Sequence, residues 1–170
     1  VFDMGGVLIN FDAQRYTARF VPDPADYELI RRELFRSVEW IRMDRGSITD
    51  EEAVASVCRR LPQRLHQAVR DILDNWHRDI PPLDGVYELV RELKGKGYGI
   101  YLLSNTCTRF HSFRESIPAL QFFDGEFISA DCHLVKPEPG IYLRFLEQFR
   151  LRPEQCVFID DVPLNIEAAI

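Results

Sequence analysis

Four short polar clusters in this 170-residue chain could do chemistry together. The first is Asp3-Met4-Gly5-Gly6, a carboxylate at the end of the apolar pair Val1-Phe2, followed by two glycines. The glycines let the backbone approach a ligand closely and aim N–H groups at an anion, which β-carbons would obstruct. The second cluster, Ser104-Asn105-Thr106, follows the apolar run 98–103. The third is Lys136 before Pro137, and the fourth is the acid pair Asp160-Asp161 after 156–159. A carboxylate, a lysine, hydroxyl and amide donors and a divalent ion suffice for phosphoryl transfer, which asks for positioning and charge neutralisation more than covalent work. An aspartate nucleophile divides that transfer into formation and hydrolysis of an aspartyl-phosphate. Mg2+ prefers hard oxygen ligands and suits two or three carboxylates and a carbonyl better than any His or Cys set.

Taken singly, each cluster has an ordinary reading. Asp160-Asp161 ahead of Pro163 are natural acids at a helix N-terminus. Ser104, Asn105 and Thr106 are natural helix caps, and Lys136 reads as a solvated loop lysine. Their order along the chain is what joins them. The apolar runs before them are too short for helices and read as strands. In an open parallel sheet with helices between strands, ligands bind at the carboxyl ends of the strands, so all four clusters would face one crevice.

Between the first cluster and the second strand run roughly 70 residues without a strand pattern. Segments 13–20, 25–43, 50–60 and 63–77 read as amphipathic helices. Thr49-Asp50-Glu51-Glu52 is a capping box, and Gly46 stops the helix before it. Residues 12–82 are therefore expected to form a helical cap over the crevice, and 1–11 with 83–170 an α/β core. Hinges are expected at 10–12 and 79–83, since lids that exclude water pivot on their connections. Trp40, Arg42, Met43, Asp44 and Trp76 are the cap residues placed to meet substrate. In the core, 86–94, 106–115 and 139–149 read as helices.

In the order and spacing of the four clusters, the chain resembles the haloacid dehalogenase-like hydrolase superfamily over nearly its whole length. That resemblance implies a Rossmann-like parallel sheet with an all-helical cap inserted after the first strand. It implies Asp3 as nucleophile, Gly6, Ser104, Asn105 and Lys136 around the transferred phosphoryl group, and Mg2+ held by Asp3, the Gly5 carbonyl, Asp160 and Asp161. Within the acid pair it favours Asp161 as the direct ligand and Asp160 as the indirect one. The Asp-x-Gly-Gly-Val opening is similar to the branch with bacterial glucose-1-phosphate phosphatases and the N-terminal phosphatase domain of soluble epoxide hydrolases. The activity implied is hydrolysis of a small phosphorylated metabolite, a sugar phosphate foremost.

One position departs from the pattern. Many phosphatases of the superfamily carry a second aspartate two residues after the nucleophile, as acid for the leaving oxygen and base for water, and Gly5 stands there. General acid–base help is worth ~10²–10⁴-fold, so another group supplies it or the leaving oxygen departs readily, as an anomeric one does. Two alternatives follow from the same gap. Haloacid dehalogenases lack the second aspartate too, but need no metal and carry an arginine soon after the nucleophile, for which Arg15 is the nearby candidate. The other is a non-catalytic binding domain with a degenerate site.

Composition bounds the rest. With 46% apolar and 28% charged residues the chain reads as an ordinary globular protein. A net charge of −6 argues against nucleic acid or an anionic membrane as partner. No run approaches the roughly 20 apolar residues of a membrane span. Cys58, Cys107, Cys132 and Cys156 show no Cys-x-x-Cys spacing, so reduced thiols in a cytoplasmic protein are expected. His66 and His77 could share one helix face. The start inside a strand and the stop inside a helix imply further strand residues before Val1 and a strand–helix unit after Ile170, and a homodimer is left open.

Overall fold

Short apolar stretches at four places in the chain meet edge to edge. In the computed structural model, which describes residues 1–78 and 80–170, β1 (Tyr101–Ser104) pairs in parallel with β2 (Gly125–Ile128). On the other side of β1, Phe2 bridges Leu102 and Ile159, both in parallel, so the lateral order is β2, β1, Phe2, Ile159. Phe2 N donates to Tyr101 O at 2.8 Å, Leu103 N to Phe2 O at 2.9 Å, and Asp3 N to Ile159 O at 2.9 Å. The chain segments carrying Asp3, Ser104 and Asp160 thus end side by side. The strand expected at 156–159 narrows to the Ile159 bridge: Val157 is 73% exposed, and among the described residues the segment pairs along its length only with 1–3.

Ten α-helices lie among the described residues. Five precede Asp79: α1 (Ala13–Ala18), α2 (Pro24–Ile30), α3 (Val38–Asp44), α4 (Asp50–Cys58) and α5 (His66–Asn75). Five follow it: α6 (Val86–Gly95), α7 (Phe110–Phe113), α8 (Ser129–Cys132), α9 (Pro139–Phe149) and α10 (Pro163–Ala168). The single helix expected over 25–43 is broken. A π-helical turn at Arg31–Phe35 follows α2, and Ser37 then caps α3 by accepting from Trp40 N at 3.2 Å, a local bond that competes with helix continuation. The helix expected over 106–115 shortens to α7, flanked by tighter turns: Phe110 N donates to Cys107 O at 3.0 Å, and Arg114–Ser116 forms a 3₁₀ turn. α5 ends at Asn75, so His66 and His77 do not share a helix face.

The two connections expected as hinges run together. Asn10 N donates to Pro81 O at 2.9 Å and Leu83 N to Leu8 O at 3.0 Å, around an antiparallel Ile9–Pro82 bridge. Asp79, part of the second expected hinge, lies outside the described residues. One continuous apolar cluster runs from Ile30, Leu34, Val57 and Ile72 in the helical segment to Phe2, Ile100 and Leu102 in the sheet. A second forms where Leu103 and Phe127 meet Ile141, Tyr142 and Phe145 of α9.

The Thr49 capping box is present in full, with Glu52 N donating to Thr49 Oγ1 at 3.2 Å and Thr49 N to Glu52 Oε2 at 2.8 Å. Gly46, between α3 and α4, has φ +68°, and a β-carbon there would stand 2.5 Å from Ala130 O. Gly46→Ala is accordingly expected to cost about 1–3 kcal/mol for the left-handed backbone alone. Urea unfolding checks it, and a midpoint equal to wild type would mean that α3 does not rest on Ala130.

Candidate active site

Lys136 is the hub of the site. Its ammonium donates to Asp160 Oδ2 at 2.6 Å and to Leu103 O at 2.9 Å, and stands 2.9 Å from Asp3 Oδ1. The side chains of Lys136 and Asp160 are 1% and 0% exposed. Such a pair is tolerated in a protein interior only when further hydrogen bonds satisfy both partners. Here Asn165 Nδ2 reaches Asp160 Oδ1 at 3.0 Å and Oδ2 at 3.1 Å, and Val162 N donates to Oδ1 at 2.9 Å. Every oxygen of Asp160 is therefore occupied by the protein.

Asp3 and Asp161 are different. Asp3 Oδ1 is buried and, although Lys136 faces it as an ion pair, no hydrogen-bond donor satisfies it among the described residues. Burial pushes the Asp3 carboxyl above the usual carboxylate range, and the Lys136 charge partly opposes that. Asp161 is exposed and packs against Gly6, where φ is +70° and a β-carbon would overlap the Asp161 carboxylate, 2.6 Å from Cγ. Asp3, Asp160 and Asp161 each bring a carboxylate oxygen within 4.8 Å of the others.

Two of the residues expected at the phosphoryl group also have structural partners. Asn105 holds the backbone of Lys136, its Nδ2 donating to Lys136 O at 2.9 Å and its Oδ1 accepting from Lys136 N at 2.8 Å, so its amide positions the lysine. Gly6 N donates to Ile9 O at 2.9 Å. Ser104, 1% exposed, stands at the end of β1. Sequence reasoning missed Asn165, the partner of Asp160. The signal was its place one turn into α10 behind Pro163, five residues after Asp160.

These groups open into a cavity of about 240 Å³ lined by Asp3, Gly5, Gly6, Asn105, Thr106 and Asp161 on one side and by Phe11, Trp40, Asp44 and Trp76 on the other. Phe11 lies 6.0 Å from Trp40 and 5.7 Å from Trp76 between ring centroids, and the two tryptophans are 5.9 Å apart. Such tilted and edge-to-face pairs hold one another in place. The Asp44 carboxyl is pushed up to about 7, first by burial and second by the negative charge of Asp3. Cys107 is pushed up to about 12, mainly by burial, and is a packed neutral thiol. Arg15 is exposed on α1 and is not part of the cavity wall.

A sequence profile described as haloacid dehalogenase-like hydrolase matches residues 1–170, the whole chain. The chain belongs to that family. Among relatives of this haloacid dehalogenase-like hydrolase, a sesquiterpene phosphatase of Aspergillus oryzae is 27% identical over 99% of the chain and 83% of its own length. A phosphorylated carbohydrates phosphatase of Thermotoga maritima is also 27% identical, over 99% of the chain and 78% of its own length. The fold is that of a family enzyme from Bacteroides thetaiotaomicron solved with magnesium and inorganic phosphate. The match has a TM-score of 0.76 at 23% identity and covers 99% of this chain and 86% of that one.

Proposed function

We propose that this haloacid dehalogenase-like hydrolase is a magnesium-dependent phosphatase of small phosphorylated metabolites, sugar phosphates foremost, working through an aspartyl-phosphate on Asp3. The observation that carries the reading is the cluster of Asp3, Lys136, Asp160 and Asp161, in which Asp3 and Asp161 line one cavity, Lys136 and Asp160 are buried behind Asp3, and the three carboxylates each bring an oxygen within 4.8 Å of the others. The relatives named as phosphatases support the reaction class.

The residues fit Mg2+. A buried Asp3 oxygen lacks a hydrogen-bond donor, Asp161 is unencumbered, and the donors are hard oxygens. Asp3, Asp161 and the Gly5 carbonyl would hold the ion directly, with Asp160 acting through its neighbours. When bound, the ion offsets the negative charge of the carboxylates and of the phosphoryl oxygens. Asp3 supplies the attacking oxygen, and Lys136, fixed by Asp160, Leu103 O and Asn105, neutralises charge on the phosphoryl group as it passes. Residues 12–82 serve as the cap, and Phe11, Trp40 and Trp76 present ring faces and edges to the leaving group, a surface suited to stacking on a sugar ring. The dehalogenase alternative is disfavoured by the exposed position of Arg15. No described helix is long and apolar enough to cross a membrane, and a cytoplasmic setting belongs to the same proposal.

The test is a panel of sugar phosphates and an aryl phosphate, each with Mg2+ or EDTA. Phosphate release that EDTA abolishes and Mg2+ restores is the expected result. Release that survives EDTA, or chloride release from 2-haloacids, would overturn it.

A further inference from the structure

Gly5 leaves open the place from which a proton reaches the leaving oxygen, and few carboxyls of this chain can fill it. Asp12 is engaged elsewhere. Its Oδ1 accepts from Gln14 N at 2.9 Å and Arg15 N at 3.2 Å as the cap of α1, and it stands outside the cavity wall. Asp161 belongs to the metal-binding set. Asp44, the last residue of α3, lines the same cavity as Asp3 and Gly5, and its carboxyl has no hydrogen-bond or ion-pair partner among the described residues.

The chain at Asp44 is held on the core by contacts of Asp44 and of the next two residues. Ser129 Oγ, which accepts from Thr106 N at 2.9 Å, donates to Asp44 O at 2.5 Å. Arg45 pairs with Glu138 and donates to His133 O at 3.3 Å, and Gly46 rests against Ala130 O. A residue of the helical segment is thereby fixed beside the loop that follows β1. Catalytic groups need such support, since small displacements forfeit much of the rate.

We propose that Asp44 is the general acid and base of this site, in the role that Gly5 cannot fill. The inference rests on the phosphatase reading. As an Asp3 oxygen bonds to phosphorus, the bond from phosphorus to the leaving oxygen breaks, and that oxygen takes its electron pair together with the Asp44 proton, leaving as the alcohol. The Asp44 carboxylate then removes a proton from water as the water oxygen bonds to phosphorus. The bond between phosphorus and Asp3 breaks, its electron pair returns to the Asp3 carboxylate, and inorganic phosphate departs with Asp44 protonated again. An unpartnered carboxyl on the wall of the cavity that Asp3 and Gly5 line suits a group that both gives and takes a proton.

The experiment compares kcat/KM for a primary alkyl phosphate and for p-nitrophenyl phosphate, whose leaving group departs without a proton. In Asp44→Asn, with Asp44→Ser as a second variant, the ratio of aryl to alkyl kcat/KM is expected to rise by ~10²-fold, the lower end of general acid help. Retained binding of magnesium beryllofluoride shows that the variant sites are assembled. Gly5→Asp placed in the Asp44→Asn background is expected to recover at least tenfold of the alkyl activity. The backbone accepts it, because Gly5 does not have a positive φ and a β-carbon would meet only Phe11 Cβ at 3.8 Å. A wild type inactive on both substrates would overturn the phosphatase reading and this inference together. An active wild type whose Asp44 variants lose both activities equally, or neither, would overturn the role of Asp44 alone.

Discussion

Asp3→Asn is expected to lower turnover by ~10⁴-fold or more, on the scale of deleting a nucleophile from an otherwise intact site. Asparagine keeps the size of the side chain and removes the oxygen nucleophile, so no aspartyl-phosphate can form and beryllofluoride no longer has its anchoring carboxylate. The loss should not come from unfolding. Lys136 keeps Asp160 and Leu103 O as partners when the Asp3 charge is gone. The sign of the Asp3 titration agrees. Burial raises its folded-state pKa above the ordinary value, so the ionised group weakens the fold at neutral pH, and that cost fades as pH falls through the folded pKa. A neutral amide removes the cost at every pH. Thermal unfolding at pH 7 should therefore show a Tm for Asp3→Asn equal to or above wild type while phosphate release disappears. Turnover at the wild-type rate would remove Asp3 from the nucleophile's role.

The clusters that converge here were readable because a parallel sheet converts sequence order into spatial neighbourhood. Once Phe2, Leu102 and Ile159 read as strand residues, Asp3, Ser104 and Asp160 had to end side by side. Roles within the clusters were less readable, since they depend on which lone pairs and N–H groups the fold has already used. Nothing in the string Ser-Asn-Thr says that Asn105 spends its amide on the Lys136 backbone 31 residues away. The break of the 25–43 helix was hidden for a related reason. Ser37 is as acceptable inside an amphipathic pattern as at its start, and only the bond to Trp40 N decides. Asp44 illustrates the same limit in the site itself. Its place at the end of α3 was legible, but the grip of Ser129, Glu138 and Ala130 on that turn joins segments about 85–93 residues apart and leaves no local trace.

The acid pair Asp160-Asp161 should separate into two phenotypes. Asp161 is exposed, its carboxylate lies against Gly6, and its removal leaves no buried charge behind. Asp161→Ala is thus expected to keep the wild-type Tm in the absence of metal while weakening Mg2+ binding beyond the ~10–100-fold that losing an outer partner costs. Asp160 is the reverse. Its side chain is fully buried and takes hydrogen bonds from Lys136, Asn165 and Val162 N, so Asp160→Ala takes from the buried ammonium one of its two carboxylate partners and leaves Asn165 Nδ2 and Val162 N without their acceptor. Removing one partner of such a pair costs ~3–5 kcal/mol. Asp160→Asn is the milder test, since it keeps one oxygen for Lys136 or Val162 N but not for both with the same geometry. Calorimetric Mg2+ titration and metal-free thermal unfolding of the three variants distinguish these outcomes. If Asp161→Ala lowered the metal-free Tm as far as Asp160→Ala, its carboxylate would be a structural group rather than the direct ligand. If Asp160→Asn lost Mg2+ as completely as Asp161→Ala at an unchanged Tm, Asp160 would have to turn away from Lys136 to reach the ion, and Lys136 would lose the partner that now fixes it beside Asp3.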